Sequence, residues 1–218
     1  MENPVMLTAI ISGATGLVGT QLLQQLLSDP GYHKIIAVVR RPLDITHEKL
    51  EQKVIDFVQL PGVFEGVKAD HGYCCLGTTI KTAGSKEKQY IIDHDYVVAF
   101  ARACHEAGVT GFAVVSSIGA DAKSSNFYLR TKGEMERDIE KISFQGIYIV
   151  RPSFLLGERK EFRTGEKTAI AAMKVLNPLL IGGLKKYRGV GASAVAQCMI
   201  RVVRSSAGGV KFIRSDEI

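Results

Sequence analysis

Met6-Leu7-Thr8-Ala9-Ile10-Ile11-Ser12-Gly13-Ala14-Thr15-Gly16-Leu17-Val18-Gly19 is an apolar run closed by three glycines at equal spacing. Leu22, Leu23, Leu26 and Leu27 continue beyond it at helical spacing, so the segment reads as strand, glycine turn and helix. Each glycine has its own task in such a unit. Gly13 permits the tight turn, Gly16 lets the backbone approach a pyrophosphate, and Gly19 lets the helix pack against the strand. Ala14, Thr15, Leu17 and Val18 complete the loop and the first helical turn, whose free N–H groups suit phosphate oxygens. The pattern is GxxGxxG rather than GxGxxG, and its place after a buried-looking strand predicts a dinucleotide site.

The next strand selects the cofactor. Ile35-Ile36-Ala37-Val38-Val39 reads as a buried parallel strand, and Arg40-Arg41-Pro42 stands where an acid for the adenosine ribose is expected. An aspartate there would bond the ribose hydroxyls and repel a 2′-phosphate. Two guanidiniums offer forked donors to that phosphate instead, so Arg40 and Arg41 predict NADP(H).

Strand and helix patterns then alternate along the chain. Val54-Ile55-Asp56-Phe57 suggests a third short strand, with Asp56 placed to meet an adenine amino group or to cap a turn. Tyr73-Cys74-Cys75-Leu76-Gly77 reads as a fourth, opening into Thr78-Thr79. A long helix is expected up to Ala107, with Val97, Ala101, Cys104 and Ala107 on one stripe and Gly108 as its stop. Phe112-Ala113-Val114-Val115 leads into Ser116-Ser117, a helix around Tyr128 follows, and Gly146-Ile147-Tyr148-Ile149-Val150 is a sixth strand. The last helix runs from about Ser193 to Arg204. This order predicts an α/β fold, a doubly wound parallel sheet of Rossmann type whose ligand site lies at the carboxyl ends of the strands. One domain over residues 1–218 is expected, with 153–190 forming a small substrate-covering lobe.

Composition narrows the function classes. The chain has 218 residues, 46% of them hydrophobic, which suffices for a sizeable single core, and a formal charge of +6. Its basic residues are scattered apart from Arg40-Arg41 and Lys185-Lys186-Tyr187-Arg188. There is no Trp and no aromatic platform, so no nucleic-acid partner is expected. Cys74, Cys75, Cys104 and Cys198 lack metal-ligand spacing; they read as reduced, buried thiols and no metal is expected. Met6 to Ile11 lacks a basic n-region and a small-residue cleavage site, so a cytoplasmic protein is expected. The apolar stretch Ala169 to Leu184 is interrupted by Lys174, Asn177 and Pro178 and is too short for a transmembrane segment. A loop from Glu158 to Glu166 is charged, and Arg159 or Arg163 could clamp an anion there or simply face solvent.

The chemistry is carried by the segment Asn126-Phe127-Tyr128-Leu129-Arg130-Thr131-Lys132. Lys132 follows Tyr128 by four residues, so on a helix the two share a face, and the ammonium can stabilise a phenolate. A serine hydroxyl from Ser116-Ser117 could bond the carbonyl oxygen that the tyrosine protonates. Together these groups suit reduction of a ketone or aldehyde.

The glycine turn, the Tyr128/Lys132 pair and the short serine-to-tyrosine interval resemble the short-chain dehydrogenase/reductase superfamily in its atypical extended branch. Cys74-Cys75-Leu76-Gly77-Thr78-Thr79, Asp93-His94-Asp95-Tyr96-Val97, Ser116-Ser117-Ile118-Gly119-Ala120-Asp121 and Tyr128 to Glu134 are similar, more closely, to the Tat-interacting oxidoreductase-like proteins and their microbial relatives. The likeness runs from about Leu7 to Glu166. It implies that Tyr128 is the catalytic acid, Lys132 its electrostatic and ribose-binding partner, and Ser117 the hydroxyl at the substrate carbonyl, with Ser116 as a substitute. Leu76, Gly77 and Thr78 would lie beside the cofactor. The superfamily's asparagine-containing motif after strand four is absent, and Leu76-Gly77-Thr78 replaces it.

Two functions follow as expectations. One is an NADP(H)-dependent reductase acting on a small carbonyl or alcohol substrate, as a monomer or homodimer. The other is an NADP(H)-binding regulatory or redox-sensing protein with little turnover.

Overall fold

The computed structural model describes residues 6–157 and 187–218. The charged loop from Glu158 to Glu166, the stretch from Ala169 to Leu184 and most of the expected lobe at 153–190 lie outside the described residues.

The chain forms β1 (Leu7–Ser12), α1 (Leu17–Ser28), β2 (Tyr32–Val39), β3 (Leu50–Val54) and β4 (His71–Cys74). Helices α2 (Ile80–Ala83), α3 (Lys86–Tyr90) and α4 (Tyr96–Glu106) follow, with a π turn, Ile91–Asp95, joining the last two. Next come β5 (Gly111–Val115), α5 (Phe127–Ile139), β6 (Gly146–Arg151), the short β7 (Leu155–Leu156) and β8 (Val190–Gly191), α6 (Ala192–Arg204) and β9 (Gly209–Arg214).

Seven strands make one sheet in the order β3-β2-β1-β4-β5-β6-β9, and every neighbouring pair runs parallel. The expected doubly wound parallel sheet is therefore the observed one. Its chain reversal lies between β1 and β4, which places a crevice at their carboxyl ends. Alternation along the strands divides the core in two. Ile11, Ala37, Tyr73, Ala113 and Val150 pack on α1 and α6, while Ile10, Ile36, Cys74, Val114 and Ile149 pack on α4 and α5. Ile10, Ile11, Ile35 and Ile36 are wholly buried, each such side chain contributing ~1.5–3 kcal/mol of transfer free energy.

Several elements differ from the sequence reading; the fourth strand is His71–Cys74 rather than Tyr73–Gly77, and β7 and β8 were not foreseen. The third strand is Leu50–Val54, ahead of the expected Val54–Phe57; beyond it Asp56 starts a short 3-10 turn over Phe57–Gln59. The single long helix is broken into α2, α3, the π turn and α4, because Gly84 adopts φ 89 after α2 and Ser85 caps α3 anew. A seventh strand, β9, had no counterpart in the sequence reading. It pairs with β6 at the sheet edge, where only Ile213 of its residues is buried.

Candidate functional site

The glycine turn closes through the Gly16 N–H bonded to the Gly13 carbonyl at 3.0 Å. Gly13 has φ 79, and a Cβ there would stand 2.4 Å from the Cys75 carbonyl carbon. A Cβ on Gly19 would meet the Gly13 oxygen at 2.0 Å. Both glycines are demanded by the protein's own packing. Gly16 is different: it is exposed, its φ is −78, and a Cβ there would approach the Gly13 oxygen at 3.3 Å. Gly16 also begins α1 without a side-chain cap, so the N-cap position leaves the first-turn N–H groups open.

A cleft of about 260 Å³ opens over this turn. Gly13, Ala14, Thr15 and Gly16 line it from the turn after β1, Arg40 and Arg41 from the end of β2, and Leu76, Gly77 and Thr78 from the loop after β4. Leu17, Val18 and Gly19 are not among its lining residues. Val18 and Gly19 are buried and Leu17 is half-buried, with its side chain close to Gly157. Asp56 is exposed and caps the 3-10 turn, accepting from the Val58 N–H at 3.2 Å, while Gln59 bonds back to the Asp56 N–H. Of the two roles weighed for Asp56, turn capping is the one its contacts fit.

Several lining residues escaped the sequence reading. Phe57 and Tyr96 stack with ring centroids 5.3 Å apart, and Ile92 and Thr82 complete that wall. Their signal lies in tertiary packing; Phe57 and Tyr96 are far apart in sequence and no local pattern pairs them.

Helix α5 starts at an Asn126 cap, whose side chain accepts from the Leu129 N–H at 3.1 Å. Tyr128 is 37% exposed one residue into the helix, and Lys132, one turn on, is 3% exposed. Burial pushes the Lys132 ammonium towards its neutral form. Neighbouring groups outweigh this, Asp93 first and then Tyr128, Cys74 and Glu136, and hold its pKa above the usual lysine value. A Cβ on Gly77 would lie 3.8 Å from Lys132 Nζ and 3.8 Å from Asp93 Oδ1. The ammonium therefore sits under the cleft floor.

The two serines after β5 separate clearly. Ser116 is buried and its hydroxyl finds no partner among the described residues, whereas Ser117 is half-buried and its hydroxyl donates to the Ile118 carbonyl at 3.3 Å. Cys74, beneath the same floor, is a free thiol whose pKa burial pushes up to about 12. No helix among the described residues is long and apolar enough to cross a membrane.

The pattern of an NAD(P)H-binding family matches residues 13–204. Protein HTATIP2 of Rattus norvegicus is 37% identical over 165 residues, covering 73% of this chain and 67% of its own. Protein FMP52-1, mitochondrial, of Scheffersomyces stipitis is 36% identical over 188 residues, covering 84% and 78%. Among solved structures, dTDP-4-dehydrorhamnose reductase from Bacillus anthracis in complex with NADP superposes with a TM-score of 0.67 at 18% identity, over 98% of this chain and 76% of that one. MoeE5 in complex with UDP-glucose and NAD gives 0.70 at 16% identity, over 95% and 76%. A putative NAD-dependent epimerase/dehydratase from Bacillus halodurans gives 0.68 at 18% identity, over 97% of each chain. These likenesses establish the fold. The expectation of a cytoplasmic protein is corrected here: six fungal relatives are named mitochondrial, and the lack of a recognisable signal peptide carried no information about that compartment.

Proposed function

Because the chain belongs to the NAD(P)H-binding family, we propose that it is an NADP(H)-dependent oxidoreductase of the short-chain dehydrogenase/reductase type, acting on a small carbonyl or alcohol. The residues fit a dinucleotide. Gly16 is the turn glycine whose lack of a side chain the protein's own packing demands least, and the cleft above it carries two exposed arginines at its rim. The uncapped first turn of α1 would hold the pyrophosphate, and Arg40 and Arg41 the 2′-phosphate. Phe57, Ile92 and Tyr96 would flank the adenine.

NADPH supplies the hydride when bound; the protein supplies the proton and the alignment. Tyr128 gives its phenolic proton to the carbonyl oxygen. Lys132, charged and buried one turn below, favours the phenolate that remains and offers a donor to the ribose. Ser117, more open than Ser116, donates to the same carbonyl oxygen. The observation that carries this reading is a buried lysine beneath the cleft floor, one helical turn from an exposed tyrosine. A site that only senses cofactor occupancy has no use for that tyrosine.

The test is a panel of aldehydes and ketones incubated with NADPH deuterated at the transferable position. Deuterium at the carbonyl carbon of at least one alcohol product is the expected result. NADPH binding without transfer to any member would favour the regulatory alternative.

A further inference from the structure

Asp93 took no part in the sequence argument for catalysis, yet it is wholly buried. It lies in the π turn Ile91–Asp95, where the wider winding brings two successive polar residues, Asp93 and His94, into the interior. His94 contacts Asp95 at 2.8 Å through Nδ1 and Asp138 of α5 at 3.1 Å through Nε2. Tyr90 stacks on the imidazole at 4.7 Å. The turn is thus fixed against the helix that carries Tyr128 and Lys132.

Asp93 is held from two more sides. The Thr78 N–H donates to Oδ1 at 2.7 Å, and Gln89 Nε2 donates to Oδ2 at 3.5 Å. The point where a Gly77 Cβ would stand lies 3.8 Å from both Asp93 Oδ1 and Lys132 Nζ. One buried carboxylate therefore bonds the cleft-lining loop and stands near the ammonium below it. The remaining groups facing Lys132 are poor charge partners. Cys74 of β4 is a buried thiol with its pKa pushed up to about 12, Tyr128 is a partly exposed phenol, and Glu136 is clamped by Arg151, whose Nε donates to Oε1 at 2.9 Å.

We propose that Asp93 is a positioning residue that keeps Lys132 protonated and seated under the cleft floor while bracing the Gly77-Thr78 loop above it. An uncompensated buried lysine would shed its proton well below the ordinary lysine range. Asp93 prevents this, so the charge is in place before any cofactor arrives. The proposal rests on the reading of Lys132 as the partner of Tyr128, but its charge-pair content can be tested without substrate.

The experiment is an NMR titration of the lysine side chains, labelled at Cε and Nζ, with the Lys132 resonance assigned by its absence in Lys132→Met. Asn at position 93 keeps an oxygen for the Thr78 N–H and deletes only the charge. In the wild type Lys132 should remain charged above the ordinary lysine range; in Asp93→Asn its pKa should fall by about 1–3 units. NADPH affinity in the variant should then weaken as pH rises through that lowered value. An unchanged Lys132 titration in folded Asp93→Asn would reduce Asp93 to a loop anchor and overturn the proposal. If Asp93→Asn does not fold, the double variant Asp93→Asn/Lys132→Met decides. Recovery of the fold supports the charge pair, and failure to recover overturns it. Failure of the reductase reading looks different: Tyr128→Phe would turn over at the wild-type rate while the Lys132 titration stood.

Discussion

The two ends of the sheet each bury a polar cluster, and they differ in what they leave open. At the carboxyl ends, Asp93 and Lys132 lie under a cleft lined by exposed backbone and arginines. At the amino ends, Tyr32 contacts His71 Nδ1 at 2.6 Å and Tyr73 at 2.8 Å, while Arg204 covers the Tyr32 ring at 4.9 Å and pairs with Asp29 at 2.8 Å. That cluster is closed. The neighbouring hollow, lined by Thr110, Gly111, Gln145 and Tyr148, measures about 10 Å³, room for one water at most. His71 there is pushed down to about 4, first by burial and then by the balance of Asp70 raising and Arg204 lowering it. A neutral His71 accepts from Tyr32, which in turn accepts from Tyr73, so every hydroxyl in the chain is used. Burial of titratable groups alone does not mark a site; what matters is whether a charge is kept beside an opening.

Substitutions at the cleft should change binding without touching the opposite cluster. The largest effect is expected for Gly16→Val, which places a side chain where the pyrophosphate must approach. Losing two charge-assisted phosphate contacts lowers NADPH affinity roughly a hundredfold or more. Calorimetric titration with circular dichroism as a control measures it, and retained affinity would remove the glycine turn from the site. Gly19→Ala sharpens the point. Its Cβ would stand 2.0 Å from the Gly13 oxygen, so it should lower stability by about 1–3 kcal/mol.

The arginines come next. Each contact to the 2′-phosphate contributes ~1.5–3 kcal/mol, so Arg40→Ala and Arg41→Ala should each weaken NADPH binding tenfold or more and leave NADH nearly unaffected. Fluorescence titration of both cofactors checks this, and equal wild-type affinities for NADPH and NADH would contradict it.

At the amino end the expected effect appears as pH dependence of stability. The folded-state pKa of His71, about 4, lies below its ordinary value of 6.5, so the unfolded chain binds more protons between those two values. The stability contributed by neutral His71 is complete above about pH 6.5 and is lost as pH falls towards 4, on the order of 3 kcal/mol in all. Thermal unfolding of the wild type and His71→Phe across that window should show a shallower slope in the variant. Parallel slopes would mean that His71 stays neutral in neither state's favour.

The same contrast explains what the sequence could reveal. Leu22, Leu23, Leu26 and Leu27 face the core with a period that only a helix has, and Ile35 to Val39 are continuously buried, so β1, α1 and the buried part of β2 were legible. Arg40, Arg41, Gly77 and Thr78 were legible because strand ends and turns fix where side chains emerge. The edge strands were not. Leu50–Val54 carries Glu51, Gln52 and Lys53, and Gly209–Arg214 is mostly exposed, so neither shows the apolar run by which parallel strands are recognised. Asp93 was hidden for a related reason. Its burial depends on a π turn, and an α-helical reading of residues 80–107 gives no register for one.

The most direct test of the contrast compares two tyrosine hydroxyls. Hydride transfer in a single turnover and the melting temperature should be measured for Tyr128→Phe and Tyr32→Phe, with the carbonyl that the deuterium screen identifies. Tyr128→Phe is expected to lose about 10²–10⁴ in rate while melting like the wild type. Tyr32→Phe is expected to keep the rate but melt several degrees lower, because His71 and Tyr73 lose their shared partner at a cost of about 1–3 kcal/mol. A wild-type rate in Tyr128→Phe would contradict the account.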